Sequence, residues 1–306
     1  MVECIPNFSE GRNREKVAQI AQEIESVTGV SVLDVHRDPD HNRSVITFAG
    51  SAEGVEEAAV RAAGRAAELI DLNRHEGVHP RIGATDVIPF VPLTGATMAD
   101  CVAMARRAGE SIWRRFAIPV YFYAEAAMRP SRVNLEDIRR GGFERLRREG
   151  LEEEAHRPDA GEPRLHPTAG ATAVGARKPL IAFNVNLDSS DIEAAKKIAK
   201  AVRASSGGLP AVKAMGVLLK SRRPPEGEAQ VSMNLTDFEK TSLAQAYEAA
   251  QREASRLGVS IRSSELVGLI PQKVLAGIKP EALRIENFHP QRILENRLAA
   301  VLAERR

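Results

Sequence analysis

The chain has 306 residues, of which 43% are apolar, so it is long enough to form two domains with sizeable cores. Lys and Arg number 43 against 41 Asp and Glu, and this balance gives no field that would favour nucleic acid or an anionic membrane. Aromatic residues make up only 4%, which argues against a base-stacking surface for single-stranded nucleic acid. Two cysteines, Cys4 and Cys101, exclude a disulfide framework and a four-cysteine zinc site.

The sequence predicts a cytoplasmic protein. Two cysteines suit a reducing compartment, and residues 1–8 carry neither a basic leader nor an apolar stretch of signal-peptide length. Nowhere do 18 apolar residues run uninterrupted, so no membrane-spanning helix is expected. We therefore expect a soluble protein with no membrane partner and no nucleic-acid partner.

The first half of the chain predicts the order βαββα. Its elements are a strand over 2–6, a helix over 17–27, strands over 30–36 and 43–49, and a helix over 55–70 that follows Ser51. Asn13 can cap the first helix. A further strand over 86–93 contains Pro89 and Pro92, which favour an edge or a bulge over a central position in a sheet.

The same order recurs after Pro179. Its elements are a strand over 180–187, a helix over 192–202 opened by a capping box of Ser190 and Glu193, strands over 212–219 and 229–235, and a helix from Ser242 to Gly258. The repeat predicts an α/β (α+β) protein of two similar βαββα-type subdomains, 1–178 and 179–306, each with helices on one face of its sheet. The other faces would carry polar rows, and two such faces opposed would enclose a ligand cleft.

The segment between the two repeats is highly charged. Residues 134–164 contain nine acidic residues and seven arginines, which is typical of a solvated helix and linker. Residues 158–175 are dense in Pro and Gly, so we expect a loop and a domain boundary there. Long loops between domains are common places for ligand sites.

A short motif, His75 to His79, matches the zinc-peptidase pattern of two histidines flanking a Glu. That chemistry needs both histidines on one face of a helix. Gly77 lies inside the motif and Pro80 follows it, and both disfavour the helix. The sequence therefore favours a loop over a metal site.

Such a loop, 73–85, can present functional groups to a ligand. His79 could act as a general acid/base, and Arg74 and Arg81 as clamps for a carboxylate. Gly83 would allow close approach of the backbone. The alternative is that one or both histidines are capping or surface groups.

Three other loops carry weaker signals. The run from Gly170 to Gly175 resembles a phosphate-binding loop, but Ala176 stands where that loop has Lys, so nucleotide binding is not expected. The loop 6–11 joins a strand to a helix N-terminus, and its spacing is equally compatible with a capping loop and with a ligand site. The composition of segment 38–43 favours a tight turn over a polar ligand site.

Four longer stretches resemble one known family. They are VECIPNFSEG at the start, RHEGVHPRIGATDVIPFVPL in the middle, GATAVGARKPLIAFNVNL at the second repeat and SELVGLIP near the end. By these stretches the chain resembles glutamate formimidoyltransferase, the transferase part of formimidoyltransferase-cyclodeaminase. The resemblance implies two similar α/β subdomains whose sheets face each other across a ligand tunnel, and a homodimer.

The resemblance also implies a reaction of histidine breakdown and one-carbon metabolism. A transferase of this family moves the formimino group of N-formimino-L-glutamate to tetrahydrofolate, giving 5-formiminotetrahydrofolate and L-glutamate. Tetrahydrofolate is then a co-substrate, and no metal is implied. The family's catalytic histidine lies in a His-Pro dipeptide, which here is His79 with Pro80. One imidazole near neutrality can take the proton of the folate amine and return it to the departing nitrogen.

Further site residues follow from the resemblance and from the sequence pattern. The family's folate-binding stretch corresponds to Gly161, Glu162, Pro163, Arg164, Leu165, His166, Pro167, Thr168, Ala169 and Gly170. Candidate substrate-binding residues are Asn7, Asn42, Arg43, Arg74, Arg81, Lys178, Asn184, Asn186 and Asn234. The arginines at 74 and 81 and the lysine are chosen for charge. The last three asparagines are chosen for strand alternation, and a buried hydrogen-bonding role is equally open for each of them.

Two positions depart from the pattern of two-domain relatives: Ala169 replaces an aromatic residue, and His36 replaces an acidic one. We expect a transferase that stands alone, without the cyclodeaminase domain of the two-domain relatives. Two alternatives on the same fold are a 5-formyltetrahydrofolate-dependent glutamate formyltransferase and a non-catalytic folate-binding protein. The donor group, the polyglutamate preference and the oligomeric state beyond a dimer stay open.

Overall fold

A computed structural model describes residues 1–304, and the chain divides into two units, Met1–Arg177 and Lys178–Arg306. The strands of unit 1 are β1 Val2–Cys4, β2 Asn7–Phe8, β3 Val30–Asp38, β4 Arg43–Gly50, β5 Thr85–Pro92, β6 Val120–Ala124 and β7 Thr172–Ala176. Its helices are α1 Arg14–Glu25, α2 Ala52–Leu69, α3 Met98–Phe116, α4 Leu135–Ile138 and α5 Gly142–Glu149.

Unit 2 is smaller and has one sheet. Its strands are β8 Ile181–Leu187, β9 Val212–Leu219, β10 Glu228–Leu235 and β11 Ile261–Val267, and its helices are α6 Ile192–Val202, α7 Leu243–Arg256 and α8 Leu294–Glu304. Within residues 1–304, no helix combines the length and the apolar character needed to cross a lipid bilayer.

The two sheets share one arrangement, and the predicted α/β fold class of two similar subdomains is confirmed. Unit 2 has the antiparallel order β11-β8-β10-β9. Unit 1 has the corresponding antiparallel order: β5, then β1 and β2 as one interrupted strand, then β4, and finally β3. The parallel strands β7 and β6 extend this sheet beyond β5. Each unit therefore adds a final strand to the βαββα order.

Strand β5 lies inside its sheet, so of the two expected alternatives, an edge or a bulge, the edge was wrong, whereas the register between β2 and β5 does shift as at a bulge. It pairs with β1 and β2 on one side and with β7 on the other. Pro89 lies opposite Ile5, where β1 has ended and β2 has not begun, and the Ile5 N–H donates to the Pro89 carbonyl at 3.3 Å. The missing N–H of Pro89 therefore falls at an interruption in the neighbouring strand, and Pro92 is the last residue of β5.

Helix capping follows the sequence closely. Asn13 caps α1, Ser51 caps α2, and Ser242 with Gln245 forms a capping box on α7. The expected capping box of Ser190 at α6 was wrong. Asp191 caps that helix instead, because its carboxylate accepts the N–H groups of the second and third helical residues.

The charged segment 134–164 is not a simple linker. Helices α4 and α5 pack on the face of the unit 1 sheet opposite α1, α2 and α3. Val174 on β7 contributes to the large core, whereas Ala173 on the same strand and Ala171 just before it pack in this second layer with Leu146 and Ile138. Apolar residues spaced among the charges provide that contact, and the charged side chains thereby come next to the sheet.

The run expected to be a loop up to residue 175 ends in strand β7, which lies between β5 and β6. Small residues allow this close packing. A Cβ on Gly175 would lie 2.5 Å from Tyr123, so only glycine fits beside that ring. The phosphate-loop resemblance at 170–175 therefore reflects sheet packing.

The cap of α1 can be tested by substitution. Replacing the exposed Asn13 with Ala should lower the free energy of unfolding by about 1 kcal/mol, because two N–H groups of the first turn lose their acceptor. The Asn13→Gly control should cost only a few tenths of that, roughly 0.3 kcal/mol. Urea unfolding followed by circular dichroism measures both, and equal losses would contradict this role.

Candidate active site

The loop that carries the two histidines of the motif is docked on the turn between β3 and β4. Asn42 in that turn has a left-handed backbone (φ 45°), accepts the Gly11 N–H at 3.0 Å and donates to the Glu76 carbonyl at 2.9 Å. Gly77 lies so close that a Cβ there would be 2.4 Å from the His41 carbonyl oxygen. The predicted residue Asn42 thus joins three loops of unit 1.

Arg81 and His75 form a structural bracket beneath this loop. The Arg81 guanidinium donates to Glu144 at 2.6 and 2.8 Å and to His75 Nδ1 at 2.9 Å. His75 Nε2 lies 2.9 Å from the Asn42 carbonyl, and a carbonyl only accepts, so the proton of the neutral ring is on Nε2. Burial lowers the pKa of His75, and the charge of Arg81 lowers it further. Arg81 therefore already has a carboxylate partner in the protein.

The geometry of this segment differs from a zinc-peptidase site. A 3₁₀ turn covers only Leu72–Arg74, and His75 and His79 follow in a loop without helical structure. Each histidine ring donates a hydrogen bond to a backbone carbonyl group of the protein. In residues 1–304, no three His, Cys, Asp or Glu side chains are grouped as metal ligands.

The most deeply buried charge of unit 1 is the carboxylate of Asp86, which has no exposed surface. It accepts hydrogen bonds from Arg43 at 2.7 Å, from Arg139 at 2.5 Å and from the Ile82 N–H at 2.9 Å. Arg43 also donates to the Asn7 side chain at 3.0 Å. Two arginines on one carboxylate leave the cluster with a net positive charge. The structure thus brings together the predicted residues Asn7 and Arg43.

The pKa values follow from this pairing. Burial would raise the pKa of Asp86, but Arg139 and Arg43 outweigh it and lower the pKa to about 2. Burial lowers the pKa of Arg43 to about 10, against the opposing effect of Asp86. At neutral pH the Asp86 carboxylate and the Arg43 guanidinium are therefore both charged.

His79 lies next to this positive cluster. Its Nδ1 is 2.9 Å from the Pro80 carbonyl, so Nδ1 carries the proton and Nε2 has a free lone pair. Burial lowers the pKa of His79 well below its usual range, and the charges of Arg43 and Arg139 lower it further. At neutral pH the ring is uncharged, and Nε2 is a base.

The stretch 161–170 forms a loop beside the same segment. The Leu72 N–H donates to the Thr168 carbonyl at 2.8 Å, and Asn73 donates to the Pro167 carbonyl at 3.0 Å. His166 Nδ1 accepts the N–H groups of the two residues that follow Pro167, which closes the turn. Burial lowers the pKa of His166.

The ends of this stretch are anchored in unit 1. Gly161 has φ 106° and contacts Trp113, and Gly170 has φ 71° and lies against the Ile82 carbonyl. Ala169 is buried and Leu165 packs against the core. The exposed members are Gly161, Glu162, Arg164 and Pro167, and Pro163 is half-buried.

Three predicted residues remain. Arg74 is exposed at the end of the 3₁₀ turn of unit 1. In unit 2, Lys178 is exposed and pairs with Asp237 at 3.1 Å, and Asn234 is half-buried on β10.

The sheet of unit 2 carries a connected polar row. Asn184 donates to Glu265 at 2.9 Å, and Asn186 donates to Ser263 at 3.1 Å. Gln230 joins them, donating to Asn186 at 2.9 Å and to Glu265 at 3.1 Å. Arg222 completes the row with an ion pair to Glu265 at 2.7 Å. The predicted residues Asn184 and Asn186 thus lie together, and both have hydrogen-bond partners within unit 2.

Sequence reasoning missed several members of these clusters, among them Asp86, Arg139, Gln230 and Glu265. Asp86 is a charged residue at the start of an apolar strand, which is the one signal the sequence offers for it. Arg139 is hidden among the other arginines of its segment. Gln230 is one of the alternating polar residues of β10. Glu265 lies opposite Asn184 in the sheet, so its place in the polar row could be found only from the strand pairing.

Comparison with known proteins now decides the family. The model of the formiminotransferase domain, N-terminal subdomain, matches residues 1–177, and that of the formiminotransferase domain matches residues 182–287. The chain belongs to the formiminotransferase family. The resemblance read from the sequence is confirmed, and the chain is a transferase enzyme.

Relatives of this family are similar over nearly the whole chain. A glutamate formimidoyltransferase of Streptococcus pyogenes serotype M1 is 46% identical over 97% of this chain and 98% of its own length. One of Thermoplasma acidophilum is 47% identical, with 97% of each chain covered. A formimidoyltransferase-cyclodeaminase of Rattus norvegicus is 43% identical over 97% of this chain and 56% of its own length.

The buried cluster allows a stability test. Asp86→Asn leaves two buried guanidinium groups without their counter-charge and should lower the free energy of unfolding by about 3–5 kcal/mol. The pKa of Asp86 is depressed, so its contribution is present above pH about 4 and is lost as the pH falls toward 2. The difference between variant and wild type in chemical unfolding should therefore shrink in acid.

Asp137→Asn is the matched control, since Asp137 makes an exposed ion pair with Arg140. Such a pair contributes at most about 1 kcal/mol. An Asp86→Asn variant as stable as this control would contradict the role given to the buried carboxylate.

Proposed function

We propose that this chain transfers the formimino group of N-formimino-L-glutamate to tetrahydrofolate, giving 5-formiminotetrahydrofolate and L-glutamate, with His79 as general acid/base. The names of the similar proteins support the reaction. The observation that supports the residue is the neutral His79 ring, whose Nδ1–H is held by Pro80 and whose Nε2 is a free base.

The proton transfers follow from that tautomer. As N5 of tetrahydrofolate forms its bond to the formimino carbon, Nε2 of His79 takes the proton from N5. The bond between that carbon and the glutamate nitrogen then breaks, and the same Nε2–H returns the proton to the departing amine. One imidazole serves both steps, and no net proton is gained or lost.

The charge around His79 suits anionic substrates. Formiminoglutamate and tetrahydrofolate both carry carboxylates, and the Arg43–Asp86–Arg139 cluster has a net positive charge. Arg74 is exposed next to the histidine loop and is our further candidate for a substrate carboxylate. Arg81 and Lys178 have Glu144 and Asp237 as partners, so they would have to exchange these for substrate.

Folate is proposed to bind along residues 161–170, which are hydrogen-bonded to the segment that leads into the histidine loop. Asn7 and Asn42 hold Arg43 and the loop in place. In unit 2, Asn184, Asn186 and Asn234 are proposed to contact substrate from the polar face of the sheet. No metal is included. A cytoplasmic homodimer is the proposed state in the cell.

The catalytic role of His79 is tested by its removal. With tetrahydrofolate and formiminoglutamate, the wild type should release glutamate and form 5-formiminotetrahydrofolate, and His79→Ala should lower kcat by about 10²-fold or more. His289→Ala removes an exposed histidine of unit 2 and should leave the rate unchanged.

Two results would overturn the proposal. Activity with 5-formyltetrahydrofolate and glutamate, but none with formiminoglutamate, would identify a formyltransferase. Tetrahydrofolate binding without turnover of either donor would identify a binding protein.

The pH dependence tests the surroundings of His79. Because its pKa lies well below 6.5, kcat/KM should fall only in clearly acidic solution. Arg139→Gln removes one cation, so the pKa of His79 should rise and the acid limb should move to higher pH. The control Arg140→Gln removes an exposed ion pair with Asp137 and should leave the acid limb of kcat/KM in place. An unmoved limb in Arg139→Gln would refute this electrostatic account.

A further inference from the structure

His41 is a buried histidine that the mechanism above does not use. It is 7% exposed, and its ring centroid lies 5.8 Å from that of His79 at an angle of 57°. Its Nδ1 is fully buried and has no hydrogen-bond partner among residues 1–304. A buried ring nitrogen without a partner is destabilising, and such groups in native proteins have a specific reason.

The backbone of His41 is rigidly held. The Asp38 carboxylate accepts the N–H groups of Asp40 and His41, each at 2.8 Å. Asn42 is fixed on both sides by its own hydrogen bonds, and Gly77 packs on the His41 carbonyl. The turn that carries His41 is therefore the surface on which the loop of His79 is docked.

The distance between the two rings is informative. An N–H···N hydrogen bond of normal length between two imidazoles places their centroids about 5 Å apart. The observed 5.8 Å is slightly longer. A displacement of one ring toward the other by under about 1 Å would therefore bring the two into hydrogen-bonding distance. In the neutral state, Nε2 of His79 has a lone pair and no proton to offer.

We propose that His41 is a positioning residue whose Nδ1 accepts a hydrogen bond from the Nε2–H that His79 acquires during the reaction. This rests on the proposed function, because the proton comes from N5 of the acceptor substrate. The N5–H bond breaks as the Nε2–H bond forms, and His41 holds the resulting imidazolium in place. When the glutamate nitrogen departs, Nε2–H gives up the proton and both rings are neutral again.

Other charged groups around His79 cannot fill this role. Arg43 on β4 and Arg139 after α4 are donors only. Asp86 on β5 is an acceptor, but its oxygens already hold both arginines and the Ile82 N–H. The Pro80 carbonyl accepts the Nδ1–H of the same ring. Nδ1 of His41, on the ring next to His79, is an acceptor that no donor within residues 1–304 occupies.

Three substitutions at His41 separate this role from packing. Asn places an amide oxygen where Nδ1 was, Gln places its polar atoms where Nε2 was, and Phe keeps the ring but has no nitrogen. We expect His41→Phe and His41→Gln to lower kcat about tenfold or more, with KM for both substrates little changed. His41→Asn should restore most of the rate.

The pH profile gives a second readout. Without the acceptor, the imidazolium of His79 is less stable, so the acid limb of kcat/KM should move to lower pH in His41→Phe and stay near the wild-type position in His41→Asn. Thermal unfolding should show His41→Phe at least as stable as the wild type, because the orphaned nitrogen is gone. His289→Asn is the control for loss of a histidine.

Wild-type kcat and pH profile in His41→Phe would overturn the proposal, and so would an equal loss in the Asn, Gln and Phe variants. A wild type without transfer activity would refute the proposed function instead. In that case, NMR titration of the His79 ring without substrate still decides the matter. The pKa of His79 must be lower in His41→Phe than in wild type or His41→Asn, and equal pKa values would reject the role of His41.

Discussion

The proposed active site of this formiminotransferase depends on one buried carboxylate. Asp86 lies at the start of β5 and joins β4, through Arg43, to the segment after α4, through Arg139. Burying a single charge would be strongly unfavourable, so the three groups must stay together. The same pairing leaves one positive charge in excess. Burial lowers the pKa of the neighbouring His79 imidazole, and this charge lowers it further. The stability of unit 1 and the proposed chemistry of His79 therefore depend on the same cluster.

The loop that presents His79 has no regular structure of its own. Its position comes from Gly77 on the β3–β4 turn, from the side chain of Asn42 and from the His75–Arg81–Glu144 bracket. Each of these contacts joins residues that are distant in the chain. The proposed catalytic group, His79, is thus fixed by contacts with several loops at once.

Local patterns predicted most of the fold. The helix of Asn13 and the repeat after Pro179 were readable because periodicity and capping depend on neighbouring residues. The central place of β5 was not readable, because Pro89 is tolerated only where β1 has ended. Arg139 could not be distinguished from the arginines beside it, since its role depends on a residue 53 positions earlier. The likeness of the four long stretches to a family located His79 without any of these contacts.

The central claim is that His79 is neutral and carries its proton on Nδ1 at neutral pH. Nitrogen-15 NMR of histidine-labelled wild-type protein, with His79 assigned by comparison with His79→Gln, tests it directly. We expect a protonated Nδ1 and an unprotonated Nε2 at pH 7. A ring that is positively charged at pH 7, or one that carries its proton on Nε2, would contradict the account.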